Sequence, residues 1–234
     1  MKRQTLYLLA AIGVLAATAA IAPAQQAQRP AQRDWTRTVV QTPEGGFRMG
    51  NPEAPVKVVE YLSLTCPHCA DFAQTGVPPL IRDYVRSGRA SLEYRNFVLN
   101  GVDVTASLLA RCGGADHFFP IAGQFLATQA QWMGRIDSLT QVQREQLTAL
   151  PPNERLPRLA DMVGLTAIAT RNGITAAEAR RCLNDEAGLH QLDQMARAAS
   201  AQGINGTPTF LINGARVEAN DWARLEPLIR RAAG

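Results

Sequence analysis

The chain has 234 residues, of which 46% are hydrophobic, so it can bury the core of one sizeable domain without a disulfide scaffold. Its four cysteines are too few for a small secreted module stabilised mainly by disulfides. The formal net charge is +4, two of the positive charges fall in the first three residues, and no block of basic residues indicates a nucleic-acid partner.

The first 24 residues have the order of a secretory signal. A short basic start is followed by an uncharged run from Leu6 to Ala22 and by an Ala-Pro-Ala sequence, and we expect cleavage after Ala24. An uncleaved membrane anchor is the alternative, but the run has 17 residues and is rich in alanine, whereas a membrane span needs about 20 strongly apolar residues. We therefore predict export to a bacterial periplasm, where cysteines can be oxidised.

The segment 25–46 begins rich in Gln, Ala and Pro and lacks a periodic apolar pattern, so it is predicted to be a flexible leader. The ordered domain is then expected to span residues 47–234. Its first strand is the β-branched run Val56–Leu64, and a helix follows with apolar residues at three- and four-residue spacing. Pro78 and Pro79 are expected to bend that helix.

A second strand, Ala90–Leu99, completes a strand–helix–strand unit. From about residue 104 to residue 202 the apolar spacing is helical, and Thr175–Glu178 has the pattern of a capping box. The chain ends with two short strands around Asn213-Gly214 and a final helix. A βαβ half and a ββα half joined in one sheet make a thioredoxin fold. The sequence therefore predicts an α/β protein, a thioredoxin fold with an inserted all-helical subdomain.

The motif Cys66-Pro67-His68-Cys69 stands where the first strand passes into the helix. Proline is well tolerated at the first position of a helix, so Cys66 falls at the N-cap, where unpaired backbone N–H groups and the helix dipole favour an anion. A thiolate is such an anion, and its stabilisation makes the disulfide with Cys69 a stronger oxidant. His68 can add a positive charge or a hydrogen bond to the same sulfur. We predict that Cys66 is the nucleophile and that Cys69 is the resolving cysteine.

Two other uses of the cysteine pair fit the sequence less well. A zinc site needs four ligands, commonly in two close pairs, but Cys112 and Cys182 are 70 residues apart and the three histidines are scattered. A purely structural disulfide across one helical turn closes too small a loop to restrain the unfolded chain. No metal site is predicted, and redox chemistry is the favoured interpretation.

Glu60 and the Thr207-Pro208 pair are further candidates for the site. Glu60 lies inside the apolar strand, where a buried carboxylate is costly unless it has a task, and near Cys69 it can accept and return a proton. A glutamate on a solvent-facing side of the strand is an equal alternative. An X-Pro bond at Pro208 can be cis, which would turn the Thr207 backbone toward the cysteines and offer it to an extended substrate chain.

The stretches VVEYLSLTCPHC and GINGTPTFLING, with a helical block between them, resemble the DsbA-like thiol:disulfide oxidoreductases over about residues 47–234. The resemblance implies a periplasmic enzyme that donates its Cys66–Cys69 disulfide to reduced or unfolded exported proteins. It also implies re-oxidation by a quinone-linked membrane partner. We expect a monomer that needs no cofactor beyond the redox-active disulfide.

The resemblance also implies roles for individual residues: His68 tunes the nucleophile, Pro208 is the cis-proline, and Glu60 matches a buried acid. Thr207 departs from the valine of the best-known oxidase and resembles the isomerase branch. A disulfide isomerase or reductase with the same cysteines therefore stays open, as does a non-enzymatic protein that holds exported clients. A related isomerase of small aromatic molecules uses a cytosolic glutathione site, which the signal segment and the intact Cys-x-x-Cys motif disfavour.

The remaining cysteines, Cys112 and Cys182, lie on predicted insertion helices. In an oxidising compartment we expect them to form a structural disulfide, which would stabilise the fold by as much as roughly 4 kcal/mol through the entropy of closing a loop of about 70 residues. The alternative is a pair of buried free thiols that act as small apolar residues.

Overall fold

The structure is a computed structural model that describes residues 33–234. The predicted signal sequence 1–24 and the start of the predicted leader lie outside the described residues. One sheet of six strands has the order β1-β2-β4-β3-β5-β6. The strands are β1 Val39–Gln41, β2 Phe47–Gly50, β3 Val56–Leu62, β4 Ala90–Asn96, β5 Thr209–Ile212 and β6 Ala215–Val217.

Helices connect the strands and cover the sheet. They are α1 Pro67–Thr75, α2 Val77–Leu80, α3 Gly101–Arg111, α4 Ala115–Ala127, α5 Gln129–Asp137, α6 Gln141–Ala149, α7 Pro152–Val163, α8 Leu165–Arg171, α9 Ala176–Cys182, α10 Glu186–Ala201 and α11 Trp222–Ala232. No helix in residues 33–234 is both long enough and apolar enough to cross a membrane.

The prediction that the leader extends to Gly46 was wrong. Trp35–Arg37 already forms a 3-10 turn, and β1 pairs with β2 so that Val40 lies opposite Arg48. The turn between the two strands is closed by a hydrogen bond from the N–H of Thr42 to the carbonyl of Gly46. β1 has only three residues and none of them is buried, so it shows no apolar alternation by which the sequence could reveal it.

β3 lies at the centre of the sheet, parallel to β4 and antiparallel to β5. Val56, Val58 and Leu62 are fully buried on one face of this strand, which explains its β-branched sequence. The strand ends at Leu62 rather than at Leu64. The four residues that follow it are the loop that carries the first cysteine of the pair.

The helix after the cysteine pair is interrupted at Gly76, as the two prolines lead one to expect. α1 ends at Thr75, α2 begins at Val77, and a π-helical segment continues over Ile81–Val85. Pro78 and Pro79 have no N–H to donate to the carbonyls of the preceding turn, so a continuous α-helix cannot form there.

All the helices from α3 to α10 lie between β4 and β5, and the predicted fold class, a thioredoxin fold with an inserted all-helical subdomain, is confirmed. The insertion shares the core of the sheet, since Phe47 of β2 stacks on Phe118 of α4 with ring centroids 4.1 Å apart. The capping box predicted at Thr175–Glu178 starts α9. The β5–β6 hairpin turns at Asn213 and Gly214, which have φ values of 51° and 83°, as a two-residue hairpin of this sequence requires.

Candidate active site

Cys66 is the N-cap residue of α1, and Pro67 occupies the first helical position. The backbone of Cys66 is extended, with φ −81° and ψ 122°, and its carbonyl accepts the first helical hydrogen bond from the N–H of Ala70 at 3.2 Å. Both cysteines of the motif are free thiols in this structure. Cys66 is 6% exposed and Cys69 is 0% exposed, so an attacking group reaches the sulfur of Cys66 first.

The pKa of Cys66 is lowered from 9.0 to about 5. The largest cause is a hydrogen bond from the Cys69 thiol, and burial opposes it. The Thr207 side chain and the backbone N–H groups of Cys69 and His68 lower the pKa further. These backbone groups are the unpaired donors at the start of α1, as expected for an anion at a helix N-terminus.

The pKa of Cys69 is shifted in the opposite direction. The same hydrogen bond to Cys66 raises it, and so do burial and the charges of Glu60 and Cys66. One sulfur of the pair is therefore stable as an anion at neutral pH, and the other is stable as a thiol. The two roles assigned from the sequence require this asymmetry.

His68 contributes to the site through its backbone. Its imidazole is exposed, as is the ring of Pro67. The main-chain N–H of His68 helps to lower the pKa of Cys66, whereas the role of the imidazole as a tuner of this sulfur stays a prediction.

The Thr207–Pro208 peptide bond is cis and lies against the cysteine pair. The thiol of Cys66 donates to the carbonyl of Thr207, with Sγ and O 3.3 Å apart. The Thr207 hydroxyl is buried and has no hydrogen-bond partner within residues 33–234, so it is free to donate to a thiolate at Cys66. β5 begins directly afterwards at Thr209, which pairs with Tyr61 of β3 and so fixes the Thr207 backbone beside the end of the central strand.

Glu60 is 2% exposed, so the alternative of a solvent-facing glutamate was wrong. It lies in the middle of β3, between Tyr94 of β4 and Phe210 of β5 in the sheet register. In the described part of the chain its Oε2 atom has no hydrogen-bond partner. Burial, and secondly the charge of Cys66, raises the pKa of Glu60 well above its usual range. A carboxyl in this state can exchange a proton with a neighbouring thiol.

Two residues that sequence reasoning missed hold the loop between β3 and α1. Asp103 accepts hydrogen bonds from the N–H groups of Leu64 and Leu99, each at 3.0 Å. Burial raises the pKa of Asp103 to about 6. Gln129 donates from Nε2 to the carbonyls of Leu64 at 2.8 Å and of Cys66 at 3.0 Å. Both side chains come from the helical insertion, and no local sequence signal connects them to a loop that lies 39 and 65 residues away.

The other two cysteines are bonded to each other. Cys112, at the end of α3, and Cys182, at the end of α9, form a disulfide with Cα atoms 5.5 Å apart. The bond connects two helices of the insertion. Within the described range 33–234, no three His, Cys, Asp or Glu side chains come together as a set of metal ligands.

Comparison with known proteins identifies the family. The family model described as "Thioredoxin" matches residues 42–231. The chain belongs to the thioredoxin family. The Cys-x-x-Cys motif of this thioredoxin-family chain lies after the end of the central strand, and the helical insertion lies between the two halves of the fold, as the resemblance to DsbA-like proteins implied.

Among solved structures, a protein-disulfide isomerase from Novosphingobium aromaticivorans is 31% identical, with a TM-score of 0.75, and covers 81% of this chain and 98% of that one. Wolbachia pipientis alpha-DsbA1 is 22% identical with a TM-score of 0.65, over 83% of this chain and 94% of that one, and shares the fold. A Rickettsia bellii protein named "Putative protein-disulfide oxidoreductase" is 30% identical over 75% of this chain and 60% of its own length. This thioredoxin-family chain thus spans about 60% of the length of that curated relative.

Proposed function

We propose that this chain catalyses thiol–disulfide exchange with protein clients and acts as a protein disulfide oxidoreductase through Cys66 and Cys69. The observation that carries the proposal is the opposite shift of the two pKa values at the start of α1. The relative from Rickettsia bellii and the neighbour from Novosphingobium aromaticivorans, both at least 30% identical, support it by their names.

The reaction starts from the Cys66–Cys69 disulfide. A client thiolate attacks the sulfur of Cys66, because Cys69 is fully buried, and a mixed disulfide between client and Cys66 forms as the Cys66–Cys69 bond breaks. The sulfur of Cys69 leaves with the electron pair and takes up a proton, as its raised pKa requires. A second client thiolate then attacks the client sulfur and expels Cys66 as a thiolate. The client loses two electrons and two thiol protons, the enzyme gains the two electrons and one of the protons, and the second proton passes to solvent.

Glu60 is proposed to supply the proton that Cys69 needs. Burial raises the pKa of Glu60 and so favours its protonated form, and once Glu60 has given up its proton its negative charge raises the pKa of Cys69. Thr207 is proposed to bind the client chain, because its backbone faces the sulfur that forms the mixed disulfide. Its carbonyl accepts from Cys66 when the thiol is protonated and is free for a client N–H in the mixed disulfide.

The direction of net electron flow is proposed to be oxidation of the client. Hydrogen bonds to the Cys66 thiolate stabilise the reduced form of the pair, and a stabilised reduced form makes the disulfide a strong oxidant. A disulfide isomerase is the second candidate, favoured by the name of the Novosphingobium aromaticivorans neighbour. We place the reaction in the periplasm, on reduced or unfolded exported proteins, with re-oxidation by a quinone-linked membrane partner.

Equilibration of the purified protein with glutathione redox buffers separates an oxidase from a reductase with the same cysteines. An oxidase should be half reduced at a potential well above the approximately −270 mV of thioredoxin, and a value as low as that would reject the oxidase. A Cys66→Ser variant should lose all oxidation of a reduced dithiol client. If this variant kept the client soluble as well as the wild type does and the wild type oxidised nothing, the chain would be a client-holding protein.

A further inference from the structure

Both backbone groups of Leu64 are held by side chains of the helical insertion. Its N–H donates to Asp103 of α3 at 3.0 Å, and its carbonyl accepts from Gln129 of α5 at 2.8 Å. The last backbone hydrogen bond at the sheet end before this point runs from the N–H of Phe97 to the carbonyl of Leu62. The segment that leads to the first cysteine is therefore positioned by the insertion and no longer by the sheet.

Gln129 reaches the cysteine itself. The same Nε2 atom that binds the Leu64 carbonyl also donates to the carbonyl of Cys66 at 3.0 Å. A carboxamide NH₂ group has two hydrogens, and both are used here. Gln129 is 7% exposed, and Trp132, one turn along α5, is fixed in the core by a hydrogen bond from Nε1 to the carbonyl of Phe125 at 2.8 Å. The part of α5 that carries Gln129 is thus anchored in the core.

We propose that Gln129 is a positioning residue for thiol–disulfide exchange, through which the helical insertion fixes the peptide unit of Cys66 and keeps its sulfur over the start of α1. This inference depends on the proposed function of the cysteine pair. It assigns to the insertion a part in setting the redox chemistry, in addition to covering the sheet.

Two physical effects connect the Gln129 amide to the sulfur. At a ψ of 122° the carbonyl of Cys66 accepts a hydrogen bond from Gln129. This bond resists rotation of the peptide unit that follows the Cα atom of Cys66, from which the sulfur-bearing side chain extends. The sulfur consequently stays within reach of the N–H groups of His68 and Cys69. In addition, the carbonyl oxygens of Leu64 and Cys66 carry partial negative charge, which disfavours a thiolate nearby. The two N–H donors of Gln129 partly neutralise these oxygens and so reduce the repulsion.

A Gln129→Met variant tests the proposal, since methionine has a similar length and no N–H group. Gln131→Met is the matched control, because Gln131 is an exposed glutamine on the same helix. We expect Gln129→Met to raise the pKa of Cys66 and to shift the redox equilibrium with glutathione toward the oxidised protein by about tenfold, the equivalent of one pKa unit. Gln131→Met should leave both unchanged.

A purely structural role would give a different result. If Gln129→Met lowered the thermal midpoint of unfolding but kept the wild-type pKa of Cys66 and the wild-type redox equilibrium, the proposal would be overturned. Should the methionine variant not fold, Gln129→Asn keeps the donor group one methylene shorter, and an intermediate pKa of Cys66 is expected; a wild-type value there would reject the proposal. Failure of the proposed function itself would be visible in the wild type, as an ordinary pKa for Cys66.

Discussion

Cys69 lies buried in the first turn of α1 after Cys66, and hydrogen bonding between the two sulfurs shifts the pKa values of the two residues in opposite directions. It is the largest cause of each shift. The backbone N–H groups at the start of α1 add to it at Cys66, and burial and Glu60 add to it at Cys69. A motif of four residues after the end of a buried strand therefore holds one cysteine as a thiolate and the other as a thiol.

Replacing Cys69 by alanine should raise the pKa of Cys66, because the main hydrogen bond to its thiolate is lost. The value should nevertheless stay below 9.0, since the backbone N–H groups and Thr207 remain. The measurement is the reaction rate of Cys66 with an alkylating reagent as a function of pH. A Cys112→Ala/Cys182→Ala variant, which removes two sulfurs that do not contact Cys66, should keep the wild-type profile. An unchanged pKa in Cys69→Ala would show that the thiol of Cys69 does not stabilise the anion.

A Glu60→Gln variant should be more stable than the wild type at neutral pH and slower in exchange. Burial raises the folded-state pKa of Glu60, so its contribution to stability is present below the unfolded pKa and is lost as pH rises through the folded pKa. Glutamine removes that pH-dependent loss but cannot give a proton to Cys69. Urea unfolding at several pH values and single-turnover oxidation of a client measure the two effects.

Glu218→Gln is the control for that experiment, because Glu218 has a side chain that is 91% exposed. It should change neither the slope of stability with pH nor the exchange rate. Wild-type exchange rates in Glu60→Gln would remove Glu60 from the proton transfer, even if the gain in stability were found.

The free energy of unfolding of the reduced protein should fall as pH is lowered. The pKa of Cys66 is depressed in the folded state, so the stability it contributes is fully present above the unfolded value of 9.0 and is lost as pH falls through about 5. The oxidised protein has no thiol at this position and should not show this component. The measurement is the difference between the unfolding free energies of the reduced and the oxidised protein from pH 4 to pH 9, which isolates the contribution of Cys66. A difference that does not change with pH would contradict the lowered pKa of Cys66.

Removing the disulfide in the Cys112→Ala/Cys182→Ala variant should destabilise the protein and leave its exchange chemistry intact. The bond joins cysteines that are 70 residues apart in the sequence. In the loop-entropy model, closing such a loop raises the free energy of unfolding by as much as about 4 kcal/mol. Urea unfolding without reductant, with the Cys66–Cys69 pair oxidised in both proteins, measures the loss. A large change in the redox equilibrium of Cys66 with glutathione would instead show that the second disulfide is coupled to the site.

The parts of this site that the sequence could predict are those set by local rules. Cys66 lies at a helix N-cap because a buried strand ends at Leu62, five residues before a proline that is well placed at the first position of a helix, and both signals lie within a dozen residues. The hairpin at Asn213-Gly214 follows from the positive φ values that its turn requires. The outcome for Glu60 depended on which face of β3 is covered, which the apolar run on both faces left undecided.

The parts that could not be predicted depend on contacts between distant residues. β1 is too short and too exposed to carry a pattern, and only its pairing with β2 makes it a strand. Gln129 lies in the polar stretch ATQAQW, which reads as helix surface, yet it is buried against a loop 63 residues earlier at Cys66. Asp103 is likewise an ordinary polar residue near a helix start until the fold brings the backbone of Leu64 to it.

A pH titration of the reduced protein, followed through the ultraviolet absorbance of the thiolate, decides whether Cys66 is stabilised as an anion at the start of α1. With Cys112 and Cys182 bonded and Cys69 protonated, a single transition with a midpoint near 5 is expected, and it should be absent in Cys66→Ser. A midpoint near 9.0, the ordinary value, would contradict the proposed oxidoreductase chemistry.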